Sequence, residues 1–209
     1  MAFSLTQFAS TRPYLYHLTS ARNADQVVQA RTIHTARHLF ESAKAPAWID
    51  QKRTATLSLS VDGALIDIRD QQPLYEGKTS LQDGWTFARL IRELNSRIFF
   101  WPGWDHGVIA YGMRHFERYQ SEKPAILRVR TEDLFAINHK IVPEFCKYNS
   151  GSPRTTQGKG SPRGRATFLK PEHASFPPSA VIEVTYSESV QLPQTVERSS
   201  RPDGRWNKV

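Results

Sequence analysis

At 209 residues, with 39% hydrophobic, 11% aromatic and 23% charged side chains, the chain has a globular composition, which excludes intrinsic disorder and predicts one packed domain rather than two. The lone Cys146 excludes an internal disulfide and a cysteine metal cage, and no apolar run reaches membrane-spanning length. A formal net charge of +8 favours a polyanionic partner, because each neutralised phosphate releases condensed counterions; the simpler alternative is a solvated basic surface.

The N-terminal MAFSLTQFASTRPYLYHLTS lacks the basic n-region and continuous apolar core of a secretory signal, so a cytoplasmic protein with no membrane association is expected. Residues 13–19, PYLYHLT, alternate aromatic and aliphatic side chains and predict a first strand. NADQVVQAR predicts a helix with Asn23 as its N-cap, and a second helix covers Ala36–Ala43. Beyond Pro46, Thr56–Ile68 reads as a hairpin turning at Asp62-Gly63. DGWTFARLIRELN puts Phe87, Leu90, Ile91 and Leu94 on one helical face, with Asp83 as the cap. RIFFW is a short strand stopped by Pro102-Gly103, and HGVIAYGMRHFERY sets Ile109, Met113 and Phe116 on the face of the next helix. PAILRVR at 124–130 is a strand, TEDLF a helical turn, and KIVPEFCKYN broken extended structure.

Residues 147–171 carry six Lys or Arg, four Gly and no acidic residue, which predicts a flexible basic loop. ATFL and AVIEVTY supply two late strands, and ERSSRPDGRWNKV reads as a poorly ordered end. The expected organisation is a catalytic-type domain over residues 1–197 and a flexible tail over 198–209.

Three features taken together resemble the ADP-ribosyltransferase superfamily, which includes poly-ADP-ribose polymerases, tRNA 2′-phosphotransferases and DNA-modifying bacterial toxins. They are YHLT at the end of the first strand, the strand RIFFW with the helix through Arg118, and FPPSAVIEV leading into a late strand. The resemblance spans residues 13–192 and implies an α+β domain with a mixed, strongly bent sheet and flanking helices. A nearer likeness is to a family of small bacterial proteins with Leu94-Asn95, Phe99-Phe100-Trp101, Asn149-Ser150-Gly151, Arg154 and Arg163-Gly164-Arg165-Ala166-Thr167-Phe168, to which no reaction is attached.

The superfamily resemblance implies NAD as cofactor, with His17 and Thr19 near a ribose and Phe100, Trp101 or Tyr111 stacked on a ring. A histidine flanked by aliphatic residues on a strand, and aromatics beside it, are also ordinary core residues. Arg154 and Arg163 suit bidentate contacts to phosphate, of NAD or of a nucleic acid, and with Asn149, Lys159 and Arg165 they form the expected nucleic-acid contact. The superfamily's glutamate, which faces the nicotinamide ribose, is replaced by Thr167 in ATFL; Glu172, five residues on, serves only if the loop folds back.

That departure keeps a second reaction open on the same scaffold. Breaking the glycosidic bond of NAD and breaking the bond between a base and deoxyribose both pass through an oxocarbenium-like state that a carboxylate stabilises. A DNA glycosylase would excise a modified base, such as a phage hypermodified one, extruded into an aromatic pocket, with no cofactor; Asp105 and Asp62 are its candidate carboxylates, or simply turn residues. His34 and His38, four residues apart, lack further ligands, so no metal site is expected. The expectation is therefore an enzyme acting at an N-glycosidic bond, transferring ADP-ribose from NAD to a DNA or RNA base in a toxin or phage-defence role. A glycosylase is the first alternative, and a non-catalytic nucleic-acid-binding module the second.

Overall fold

The first strand forms where PYLYHLT predicts it. The computed structural model describes residues 3–209, and in it helix α1 (Leu5–Thr11), capped by Ser4, leads directly into β1 (Tyr14–Thr19). Helix α2 (Ala21–Ala30) begins earlier than expected, because the Ser20 hydroxyl accepts the Asn23 N–H at 3.2 Å; Asn23 lies inside the first turn, and its amide is free for another use. After β2 (Thr32–Ile33) and α3 (Ala36–Ser42), strands β3 (Leu57–Val61) and β4 (Ala64–Ile68) make the expected hairpin. Asp62 and Gly63 both take positive φ, 50° and 81°, as a two-residue turn of matching twist requires.

Strand β5 (Thr79–Leu81) precedes α4 (Phe87–Asn95), whose cap is Thr86 and not Asp83. The Asp83 carboxylate instead accepts the Arg165 N–H at 2.7 Å, tying the basic loop down. Strand β6 (Ile98–Trp104) runs through Pro102-Gly103, where a stop was expected. Extended backbone suits the fixed proline φ, and Gly103 lets β7 (Gly107–Val108) approach: a Cβ there would stand 2.4 Å from the Gly107 carbonyl oxygen. Helix α5 (Ala110–Tyr119), strand β8 (Ala125–Arg130), helix α6 (Thr131–Ile137) and strand β9 (Glu144–Cys146) follow, and then β10 (Ser161–Arg163) inside the basic segment. ATFL is not a strand, because Gly164 N–H donates to the Thr167 hydroxyl and closes a tight helical turn; only Leu169 bridges to Phe145. The chain ends with β11 (Glu183–Tyr186), β12 (Val190–Gln191), β13 (Glu197–Ser199) and β14 (Asn207–Lys208).

This is a single α+β domain around an eight-stranded sheet in the order β14-β13-β8-β1-β6-β11-β9, with β7 on β6. Every pairing within that sheet is antiparallel; the parallel character expected of a mixed sheet is confined to the separate β5–β10 pair. Leu15, Phe100, Leu127, Val129, Phe145 and Val184 form the main core with Phe8 from α1, while Tyr16, Trp101, Phe116 and Ile126 pack beneath α5. Each such fully buried side chain contributes about 1.5–3 kcal/mol through lost apolar surface.

Residues 198–209 are not a loose tail. β13 adds to β8 with Glu197 opposite Arg128, and Trp206 lies 4.2 Å from the Arg128 guanidinium and edge-on to Tyr16. Without β13, strand β8 would present a bare edge of unpaired amides, which folded sheets avoid.

One feature of the sheet positions the site. β1 pairs with β6 over only three residues, Tyr14–Tyr16 against Trp101–Gly103. Past that point β1 continues with β8 alone as far as Thr19, and Ile98–Phe100 of β6 stay with β11 alone. The two halves of the sheet part at His17, whose Nδ1 lies 3.0 Å from the Phe99 carbonyl oxygen across the fork.

Candidate functional site

A cleft of about 480 Å³ opens at this fork, and His17, Thr19, Trp101, His115, Asn149 and Glu183 are among its walls. Among these walls stands Glu183, on β11, only 2% exposed. The Ser150 N–H donates to both of its carboxylate oxygens at 3.2 Å. Burial pushes the carboxyl up to about 7, against the opposing pull of Ser150 and the Arg163 guanidinium. A carboxyl titrating there holds both protonation states near neutral pH, the property a proton-transferring acid or base needs.

Arg163 explains why the loop sits so close to Glu183. It is 1% exposed and donates to the Asn149 carbonyl at 2.7 Å, the Ser150 carbonyl at 3.1 Å, the Pro162 carbonyl at 2.7 Å and the Ser161 hydroxyl at 2.8 Å. This side chain was expected on nucleic-acid phosphate; the structure spends it inside, holding the loop that presents Ser150. The reason is register: β10 pairs in parallel with β5, which turns Arg163 inward.

Histidines mark the next stretch of wall. Because a carbonyl only accepts, His17 Nδ1 carries the proton given to Phe99, and the neutral ring leaves Nε2 as an acceptor. Burial keeps His17 below the usual histidine range, the Phe99 bond acts the other way, and Arg69 pushes it down further. The ring lies deep in the protein yet keeps part of its surface open to the cleft. His115, from α5, is held down to about 3 by burial, then by Arg69, Arg118 and His17. It packs 5.3 Å from the Trp101 ring and 5.1 Å from Tyr119, whose hydroxyl donates to Asp70 at 3.2 Å. Arg69 stacks 4.5 Å from the Tyr119 ring centre and reaches Glu122 at 3.4 Å, while Arg118 is exposed at the cleft. Two guanidiniums thus stand beside the imidazoles, with the Asp70 and Glu122 carboxylates balancing their charge.

The β3–β4 hairpin walls the cleft with Val61, Ile66 and Ile68. Asn23, relieved of capping, anchors it: its amide nitrogen donates to the Asp67 carbonyl at 2.6 Å, and its amide oxygen accepts the Asp67 N–H at 2.9 Å. The cleft therefore has an apolar wall and a polar one, as pockets for amphipathic molecules do.

Of the expected site residues, His17, Thr19, Trp101 and Asn149 come together on the cleft, and Asp62 lies at its edge in the hairpin turn. Phe100 is buried in the core, 5.5 Å from the His17 ring. Tyr111 is not on the cleft; it lies in the cluster under α5 and pairs with Arg114 at 4.6 Å. Asp105 sits in the β6–β7 turn with its side chain 80% exposed, bonded to His106, at the end of β6 opposite the fork. Glu172 is exposed in a short helical turn and does not fold back to the cleft, and Thr167 is buried in its own turn. Arg154, Lys159 and Arg165 are exposed along the basic segment, whose first residues, Asn149–Ser152, form part of the cleft wall.

Glu183, His115, Arg69 and Arg118 escaped sequence reasoning. One signal existed for Glu183: it is the single charged residue in AVIEVTY, and a carboxylate amid strand aliphatics asks for a reason. His34 and His38 stack at 4.4 Å with His34 bonded to Ser189, and among the described residues no group of three His, Cys, Asp or Glu is arranged to hold a metal ion. Nor is any helix among them long and apolar enough to cross a membrane.

Residues 13–194 match the model of DUF7002, described as a family of unknown function. No curated protein and no solved structure shows significant similarity to the chain.

Proposed function

For this chain, which belongs to the DUF7002 family, we propose an enzyme that acts on nucleic acid at an N-glycosidic bond, transferring ADP-ribose from NAD to a DNA or RNA base. The observation that carries the reading is that the Glu183 carboxyl and His17 both stand in the walls of one cleft, at a sheet fork bordered by a basic segment. The ADP-ribosyltransferase resemblance demands a carboxylate at the reacting sugar. Neither Thr167 nor Glu172 supports that demand, and Glu183 supplies it from the neighbouring strand.

The residues present fit such a substrate by donor chemistry. NAD supplies an activated sugar: the bond from ribose C1′ to nicotinamide breaks with its electron pair on nicotinamide, and C1′ bonds to a base nitrogen that gives up its proton. Ionised Glu183 stabilises the positive charge that develops on the sugar, in a site where burial strengthens the effect. His17 Nε2 accepts a hydrogen bond from a ribose hydroxyl, and Arg118, exposed at the cleft, meets the diphosphate. The released proton leaves through His17 Nε2 or the carboxylate itself.

A second reading rests on the same carboxyl. Because it titrates near neutral pH, Glu183 in its protonated form is suited to protonating a departing base and then, ionised, to orienting water against the sugar. That is a DNA glycosylase, and it needs no NAD. Incubating the protein with normal and phage-modified single-stranded and duplex DNA and with RNA, with and without NAD, separates the two: an ADP-ribose mass gain that requires NAD supports transfer, and alkali-labile abasic sites formed without it support excision. Binding with neither product leaves a non-catalytic module. A toxin or phage-defence role fits either reaction, since both damage nucleic acid.

A further inference from the structure

We propose that the rim of the cleft carries a stacking platform for single-stranded nucleic acid, formed by Tyr75 between Lys52 and Lys78; the proposal rests on the nucleic-acid reading and extends it to strand state. Among the described residues, Tyr75 is the most exposed large hydrophobic side chain, at 52%. The Lys52 and Lys78 ammoniums lie over its ring, 4.5 Å and 5.0 Å from the ring centre. Two cations beside one ring repel each other, and among the described residues neither forms an ion pair, not even with adjacent Glu76. Both ammoniums therefore rest on the ring as its cation–π partners, without a carboxylate to hold them, and are free to turn to an anion.

The platform is held in place. The Tyr75 carbonyl accepts the Lys78 N–H at 3.2 Å and the Thr79 hydroxyl at 2.9 Å, which fixes the turn before β5. It also adjoins both features of the proposed function. Pro73 and Leu74, immediately before Tyr75, line the cleft, and so do Asn149–Ser152, from which the basic segment departs. The two excursions meet again where β10 pairs with β5. A Cβ on Gly160 would lie 3.0 Å from the Lys78 carbonyl carbon, so the chain just after Lys159 is pressed against Lys78.

This chemistry selects a strand with free bases. A base stacks on the Tyr75 face in place of an ammonium, and the displaced ammoniums meet its neighbouring phosphates; in a duplex the base faces are occupied by each other. An acidic peptide or a lipid surface would use the lysines and leave the ring idle.

The test is fluorescence anisotropy of labelled oligo-dT, of the same strand with abasic spacers, and of a duplex of equal length, without NAD. The full-length wild type is compared with Tyr75→Ala, Tyr75→Trp and the Lys52→Ala/Lys78→Ala pair. The expected result is a loss of about tenfold in oligo-dT affinity for Tyr75→Ala, retention for Tyr75→Trp, and no effect of either on the abasic strand. The lysine pair should weaken all three ligands and lower the salt dependence. Equal binding by wild type and Tyr75→Ala, an equal loss on the abasic strand, or no nucleic-acid binding by the wild type would each overturn the proposal. Turnover is scored separately: base-dependent binding without any product sustains the platform and removes the enzyme reading, whereas product formation with Tyr75 irrelevant does the reverse.

Discussion

The floor of the cleft and the basic segment at its rim use the same kinds of side chain in opposite ways. On the floor, Glu183 and His115 are stripped of water, which moves the first up to about 7 and the second down to about 3. At the rim, Arg154, Lys159 and Arg165 stand in solvent. Arg163 belongs to the rim by sequence and to the buried interior behind the floor by structure. The difference teaches that burial, and not residue type, decides whether a charged group is perturbed or simply solvated: the floor costs the fold stability, whereas the rim costs it little.

The contrast is broken most severely at Arg163. Replacing it by Ala strands the Asn149, Ser150 and Pro162 carbonyls and leaves Glu183 without its nearby cation, so a loss of about 3 kcal/mol or more is expected in urea unfolding. Arg154→Ala, nine positions earlier on the same segment, should fall within about 0.5 kcal/mol of wild type. If the two variants are equally stable, the division between floor and rim is wrong.

The pH dependence of stability sharpens the floor. Glu183 has its folded value raised from 4.5 to about 7, so the native state binds the extra proton, and its contribution is full below 4.5 and lost as pH rises through 7. The loss amounts to about 3 kcal/mol. His115 acts in the other direction: lowered from 6.5 to about 3, it contributes fully above 6.5 and progressively less as pH falls toward 3. The two windows overlap and offset each other in the wild type, so unfolding free energies measured from pH 4 to 9 should rise with pH between 4.5 and 6.5 in Glu183→Gln and fall over that interval in His115→Gln.

Smaller effects follow for the wall and the rim. His17→Ala should cost turnover about a hundredfold while lowering stability by only about 1 kcal/mol, the loss of one bond to the Phe99 carbonyl. A stability loss of several kcal/mol would assign His17 to packing. Replacing Arg154, Lys159 and Arg165 together by Ala should leave thermal stability near wild type and reduce the log–log salt slope of nucleic-acid binding by about 2, from three lost phosphate contacts. An unchanged slope would move the binding surface elsewhere.

What was legible in the sequence was local. The Asp62-Gly63 turn, the amphipathic face of α4 and the first strand, which carries His17, each depend on neighbours within a few residues, and each formed as expected. What was hidden depends on register between distant strands. The β1–β6 fork arises because one strand changes partner after three pairs, and no local pattern encodes that. For the same reason Thr167 and Glu172 drew the search for a carboxylate to a segment that folds as turns, while Glu183 came to the cleft through its pairing with Cys146. The composition of residues 147–171 concealed Arg163, since basic residues are counted alike whether they face water or a row of carbonyls. The charged and Gly-containing C-terminal residues likewise concealed a strand that finds its partner in β8.

The central claim is that Glu183 sits on the cleft for chemistry at the expense of stability, and one variant tests both halves. Glu183→Gln keeps an acceptor for the Ser150 N–H and removes the buried charge. Assayed on the nucleic acid and under the NAD condition that give product with the wild type, it should lose activity at least about a hundredfold, about 2.7 kcal/mol of transition-state stabilisation. In the same preparation its unfolding free energy at pH 8 should equal or exceed that of the wild type. Retained activity, or a stability loss at pH 8 large enough to account for the lost activity, would contradict the account.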